Sequence, residues 1–305
     1  MKHIEAPWKF IYRNFLVFGF VISIVGLVEM IFNFNLVAAF LTDRGLLSLW
    51  EVEEGALRFG SRRCQSLTCW WETYGVNCSY TLLTVLMLDH LKCVKRRMTV
   101  LLFFVIMLCL GVFSTGSRTV YITFIIAMLT YMFYVMKNFK GIVGVLLFVL
   151  IIYNSFASSI DEIFTSFANH ETYGGSSIEM RLTQLNIAWS EFLKNPIFGT
   201  GVGGAIRLTE MNSDFYGAES MLYLVLIDRG LFGLFASIAL LISTIRYLIK
   251  KELMSFIPIV LGVIIGKILS YYPDIFETYH FMFLFIIIRA YYEHTNTVLE
   301  KKYTI

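Results

Sequence analysis

The sequence predicts an all-α, polytopic integral membrane protein with about eight transmembrane helices and a long periplasmic loop. Three observations predict it. The chain of 305 residues is 57% hydrophobic and only 15% charged, with a mean hydropathy of +0.70, a composition of membrane proteins rather than soluble domains. Apolar runs of bilayer-crossing length recur along it. The basic residues gather in short clusters between those runs.

The apolar runs fall at 15–38, 76–91, 98–114, 119–136, 141–158, 219–245, 255–272 and 278–294. The run 76–91 is short and carries Asp89 and His90 at one end. The run 219–245 exceeds a single crossing, so its first half is expected to lie tilted or near the interface, with the span proper starting around Gly230 or Gly233.

The basic clusters set the orientation. Lys92, Lys95, Arg96 and Arg97 form one, Lys137 and Lys140 a second, Arg246, Lys250 and Lys251 a third, and Lys301 and Lys302 a fourth, beside a basic N-terminus. With eight spans all of them fall on one side, which must be the cytoplasm, so both termini are expected there. The outside then receives two long loops, 40–75 and 159–218, and short ones near 114–118 and 271–279. The first apolar run is long and lacks a small-residue cleavage site, so it does not read as a cleavable signal. The whole chain, 1–305, reads as a single integral membrane domain in which 159–218 is the large periplasmic loop. No internal repeat, low-complexity linker or soluble domain is visible.

The net charge of +3 reflects topology and points to no nucleic-acid partner. The cytoplasmic loops are too short for a nucleotide-binding fold, so any high-energy donor must be membrane-anchored. Cys64, Cys69 and Cys78 lie on or near the outer side. Two of them could form a disulfide in an oxidising periplasm, but no metal-ligand spacing appears and no cofactor is implied.

Polar residues that are costly at the edge of an apolar core mark the candidate site. Arg118, in the run STGSRT, stands where a span begins on the outer side. It either snorkels to the interface or meets an anion, for which guanidinium offers a planar fork. Ser117 adds a hydroxyl beside it. Arg181 opens a helical pattern in which Ile178, Leu182, Leu185, Ala188, Trp189 and Phe192 recur at spacings of three and four. The pattern ends before Pro196 and reads as an amphipathic helix at the outer membrane face. Arg181 in its first turn adds to the positive end of the helix dipole.

The run 196–204 is rich in glycine, with Gly199 and Gly201 free to let a backbone approach a ligand or fold back tightly. No strand precedes it and no lysine follows, so it is neither a dinucleotide fingerprint nor a P-loop. Glu219 sits where the chain returns into the membrane, either paired with an arginine or held for proton transfer; Ser220 and Tyr223 share its neighbourhood. Asp228 and Arg229 read as pairing with loops. In the first outer loop, Arg58 is the arginine linked to ligand binding, ahead of Arg62 and Arg63. His170, His280 and Lys267 are weaker candidates.

In this order the features resemble the bacterial O-antigen polymerase and O-antigen ligase family. Members carry an SR pair opening a span, an arginine-led helix with a later tryptophan, an N-P-x-x-G-x-G turn, and an [HE]-[NS] pair followed by two spaced glycines. Here these are Ser117-Arg118, Arg181 with Trp189, Asn195-Pro196 with Gly199 and Gly201, and Glu219-Ser220 with Gly230 and Gly233. The resemblance covers about residues 98–245. Two departures stand out. Ligases of the family usually have histidine where this chain has Glu219. The chain is also shorter than usual members, and the missing spans would be N-terminal. The run 61–77 lacks the family's glycine, proline and asparagine pattern, as a divergent stretch or a locally altered reading frame would.

The resemblance implies polymerisation of undecaprenyl-pyrophosphate-linked oligosaccharide repeat units at the periplasmic face of the inner membrane. Donor and acceptor would both be lipid-linked, surrounded by membrane lipids, with a chain-length regulator and a flippase as further partners. Arg118 and Arg181 would hold the pyrophosphate and Glu219 would position or deprotonate the acceptor hydroxyl, without a metal. Arg58, Ser117, Gly199, Gly201, Ser220 and Tyr223 would line the substrate. Rival readings are an O-antigen ligase transferring glycan to lipid A core, a polyisoprenoid-glycan transporter, and a non-catalytic assembly protein. A transporter would place its polar residues at the midplane of corresponding halves, whereas these cluster at one face.

Overall fold

A computed structural model of the chain describes residues 8–35, 39–40, 43–44, 57–58, 61–68, 71–90, 98–132, 178–215, 220–251 and 253–269. Among them the architecture is helical: α1 (Trp8–Phe32), α2 (Trp71–His90), α3 (Met98–Ser114), α4 (Arg118–Tyr131), α5 (Ile178–Lys194), α6 (Gly204–Met211), α7 (Met221–Lys250) and α8 (Ile257–Leu269). The one extended element described is a two-residue antiparallel pair, β1 (Leu57–Arg58) with β2 (Ser61–Arg62). The expected spans 141–158 and 278–294 lie outside the described residues, as do Glu219, His170 and His280.

Two described helices are long and apolar enough to cross a membrane, Phe10–Phe32 and Met221–Lys250. The first helix starts at Trp8, earlier than the apolar run at 15 predicts. Lys9 and Arg13 lower the hydropathy of that turn but are good helix formers, so the helix runs on beyond its apolar part. α2 likewise begins ahead of the apolar run at 76, at Trp71, where Glu72 lowers the hydropathy of the first turn without opposing a helix.

The helices pack in two groups. In the first, α1, α2 and α3 contact one another, and α8 lies against α4 and α2. Tyr74, Leu82, Met87, Phe104, Leu108 and Ile259 are almost wholly buried there. In the second, α5 and α6 pack on α7, around Ala188, Ala205, Phe215 and Ile227. The groups join through α7 and α8. The Ser220 hydroxyl donates to the Ile268 carbonyl at 2.6 Å, tying the start of α7 to the end of α8.

The stretch 61–68, which the sequence marks as divergent, is tightly held. Glu29, almost wholly buried on the apolar helix α1, accepts from the backbone N–H groups of Gln65 and Ser66, both at 2.8 Å. Ser66 takes a left-handed conformation, φ 55°, and its hydroxyl donates to the Ile22 carbonyl at 2.6 Å. A carboxylate on an apolar helix is costly unless hydrogen-bonded. Here its cost is offset by two charge-assisted bonds. Cys64 and Cys78 are both buried, and no disulfide joins them; Cys69 lies outside the described residues.

Candidate functional site

Arg118 is the first residue of α4, after a turn at Gly116 with φ +58°. The turn is held by Arg63, from the segment ahead of α2. The Arg63 guanidinium donates through Nη2 to Glu72 Oε1 at 3.1 Å and through Nε to the Thr115 carbonyl at 3.3 Å. It also lies 3.7 Å over the Trp71 ring. One residue on, the Cys64 N–H donates to the Ser114 carbonyl at 2.9 Å. The Ser117 hydroxyl completes the cluster, donating to Glu72 Oε1 at 3.3 Å and lying 2.9 Å from the Thr119 hydroxyl. Ser117 is thus the N-cap residue of α4 without a side-chain cap bond, its hydroxyl turned to Glu72 instead.

Glu72 stands at the start of α2, ahead of the apolar part of that helix. Burial pushes its carboxyl above the usual carboxylate range, and the Arg63 charge opposes that shift. The pair is partly buried, with side-chain exposures of 10% and 18%. Removing one partner would leave the other charge desolvated. Arg58 lies in β1, whose partner strand β2 ends one residue before Arg63. Neither Arg63 nor Glu72 carries a local sequence signal that separates it from Arg58, Arg62 or Glu51. Only the tertiary contact with the α3–α4 turn does.

Arg181 lies in the first turn of α5, as its helical spacing predicts, and α5 ends at Lys194, as Pro196 predicts. The Tyr223 hydroxyl donates to the Arg181 carbonyl at 3.3 Å, so Tyr223 fixes the height of α5 on α7. Gln184, one turn further, is fully buried, and neither end of its amide has a hydrogen-bond partner among the described residues. Ser220 caps α7, accepting from the Leu222 N–H at 3.2 Å while donating to Ile268. Its hydroxyl is committed to the fold.

The glycine turn does fold back tightly, and its target is α7. That helix breaks at Gly230, φ 59° and ψ −155°, in the region where the long apolar run is expected to split. The break interrupts the ladder of α7, and the turn pairs with backbone groups on both sides of it. Thr200 and Gly201 donate to the carbonyls of Ile227 and Asp228 at 2.8 and 3.0 Å. Leu231 and Phe232 donate to those of Pro196 and Ile197 at 2.8 and 3.0 Å. The two backbones come so close that each side needs a glycine. A Cβ on Gly199 would stand 2.5 Å from the Arg229 nitrogen, and one on Gly230 would stand 2.7 Å from the Gly199 nitrogen.

Asp228 locks the same junction. Its carboxylate accepts from Gly203 N–H at 3.0 Å and Ala205 N–H at 2.8 Å, capping α6. The sequence reading has Asp228 pairing with a loop; the partner is a helix N-terminus, where a carboxylate is favoured by the free N–H groups and the dipole. Among the described residues no cluster of three or more histidine, cysteine or acidic side chains could hold a metal ion.

No curated protein matches the chain. Residues 102–238 match the family model described as O-antigen ligase. That stretch contains Ser117-Arg118, the Arg181 helix, the glycine turn and the break at Gly230. The match supports the O-antigen polymerase and ligase family that these features resemble.

Proposed function

We propose that the chain polymerises lipid-linked oligosaccharide repeat units at the outer face of the inner membrane. The observation that carries the reading is the placement of Arg118 and Arg181, each in the first turn of a helix within the family-matched stretch. A guanidinium there adds its charge to a helix end already favourable to anions. Two such groups suit a pyrophosphate and need no divalent cation to balance its charge.

In this reading the acceptor is the hydroxyl at the non-reducing end of one lipid-linked unit. It attacks the anomeric carbon of the donor glycan. The new glycosidic C–O bond forms as the bond from that carbon to the pyrophosphate oxygen breaks. Undecaprenyl pyrophosphate leaves with the electron pair, its growing charge stabilised by Arg118 and Arg181. The acceptor proton passes to the Glu219 carboxylate, which acts as general base. The Arg63–Glu72–Ser117 cluster holds the turn before Arg118, and the glycine turn and Tyr223 hold the helix of Arg181. A glutamate at position 219 favours polymerase over ligase, because ligases that the chain resembles usually carry histidine there.

The test is the surface polysaccharide of a deletion strain, complemented with wild type, Arg118→Lys or Arg181→Lys. Loss of long chains with single units retained marks a polymerase. Loss of all glycan on lipid A core, with lipid-linked polymer retained, marks a ligase. Lysine keeps the charge and loses the planar fork. Each Lys variant should therefore lower activity about ten- to over a hundredfold, the effect of losing roughly 1.5–3 kcal/mol of charge-assisted contact. Wild-type chain length at normal expression in both would reduce the arginines to packing residues.

A further inference from the structure

The limb of α7 beyond the Gly230 break, residues 231–250, contains 20 residues and ends in the basic group that includes Arg246 and Lys250. At about 1.5 Å per residue it is roughly 30 Å long, the thickness of a bilayer hydrocarbon core. Its flank is open and apolar: Phe232, Phe235 and Leu240 are all about two-thirds exposed. If this limb spans, the glycine turn hydrogen-bonded to Leu231 and Phe232 stands at the outer boundary of the hydrocarbon.

At that level the turn and α6 expose large apolar side chains. Phe198 is 70% exposed, Val202 87% and Met211 85%, with Ile197 and Ile206 also open. Val202 lies in the turn just ahead of α6 and Ile206 within it, while Gly204 and Ala205 form the buried side of that helix. The Phe198 ring lies 5.9 Å from the Phe232 ring, so the turn meets the apolar flank of α7 at that point. Around α6 the exposed Glu210 and Arg207 stand between Ile206 and Met211, and the Arg207 guanidinium reaches back to the Thr200 carbonyl at 3.3 Å. Exposed apolar side chains interspersed with charge, beside a helix long and apolar enough to span, suit an interfacial lipid contact.

We propose that the glycine turn and α6 insert their Phe198–Val202–Ile206–Met211 edge into the outer leaflet, with acyl chains of membrane lipids as the occupant. The insertion fixes the depth of the unit formed by α5, α6 and the start of α7, and with it the height of Arg181 above the hydrocarbon. The proposal rests on α7 spanning the membrane and is independent of the glycosyl-transfer chemistry.

Photo-crosslinking in proteoliposomes of phosphatidylethanolamine and phosphatidylglycerol tests it. p-Benzoylphenylalanine is placed singly at Val202, Met211 or Leu240 of the full chain, and lipid adducts are read by mass. These side chains are mostly exposed, so the substitutions leave packing in place. The expected result is lipid adducts at Val202 and Met211 comparable in yield to those at Leu240. Adducts at Leu240 with none at Val202 and Met211 would overturn the insertion and leave α7 as a span. Cross-links from Val202 and Met211 to this chain in place of lipid would overturn it equally. Adducts at none of the three positions would overturn both the span and the insertion.

Discussion

The junction between the glycine turn and α7 makes a sharp stability prediction at Gly230. Its φ of 59° and ψ of −155° lie at the edge of a region almost closed to residues with a Cβ, so alanine there costs about 1–3 kcal/mol in backbone strain alone. Its Cβ would also stand 2.7 Å from the Gly199 nitrogen and from the Ile197 and Pro196 carbonyl oxygens. These are backbone atoms and cannot rotate away. The turn must lift, losing at least the Leu231–Pro196 and Phe232–Ile197 bonds, at roughly 0.5–1.5 kcal/mol each. Gly230→Ala should then cost about 2–6 kcal/mol in all. Gly201→Ala is the control. Its φ is +90°, but a Cβ there meets nothing within 4 Å, leaving only a conformational cost of about 1–2 kcal/mol. The assay is the melting temperature of the detergent-purified variants, with limited proteolysis in the turn as a local readout. Gly230→Ala should melt well below Gly201→Ala and be cut first between 196 and 204. Melting of Gly230→Ala with the wild type, or greater damage from Gly201→Ala, would refute the interlocked-glycine reasoning.

Further outcomes follow from the same geometry. Asp228→Ala removes the acceptor for the Gly203 and Ala205 N–H groups and should cost about 1–2 kcal/mol, as loss of a helix cap does; Asp228→Asn should lose less, and equal melting of both with wild type would refute the capping role. Arg63→Lys loses both the two-directed donor set and much of the stacking on Trp71, and should shorten the polysaccharide ladder at unchanged expression, whereas Arg58→Lys should do so less. Alkaline phosphatase fused after Gly174 should be active and fused after Lys140 inactive; the reverse pattern would overturn the orientation and the site with it.

Much of the helical scaffold could be read from local signals. The helix over Ile178–Lys194 follows from apolar residues at spacings of three and four and from the proline that closes it. The start of α4 follows from a glycine-bearing turn ahead of an apolar run. The break in α7 follows from a run too long for one crossing with a glycine inside it. The early starts of α1 and α2 were hidden because hydropathy records where a helix is apolar, not where it is helical. Their first two turns carry Lys9, Arg13 and Glu72, all compatible with a helix.

What stayed illegible is long-range pairing. Glu29 is one acid in an apolar run, and its partners are backbone groups 36 and 37 residues away; no spacing rule connects them. Arg63 and Arg58 look alike in ALRFGSRRC, and only the fold brings Arg63 onto Trp71 and the Thr115 carbonyl. The glycine motif shows the same limit from the other side. The sequence offers two uses for Gly199 and Gly201, approach to a ligand or a tight fold-back; the structure shows the fold-back at Gly199, while a Cβ on Gly201 would meet nothing within 4 Å. The turn answers the hydrogen bonds broken at Gly230, some thirty residues later, so the two weak motifs are halves of one junction. That junction lies between the end of α5 and the kink of α7, while Tyr223 ties the start of α7 to the first turn of α5. Two fixed points on α7 thus hold both ends of the helix that carries Arg181. A substitution at Gly199 or Gly230 is expected to act on the arginine's position without touching it, through the junction that holds the end of α5.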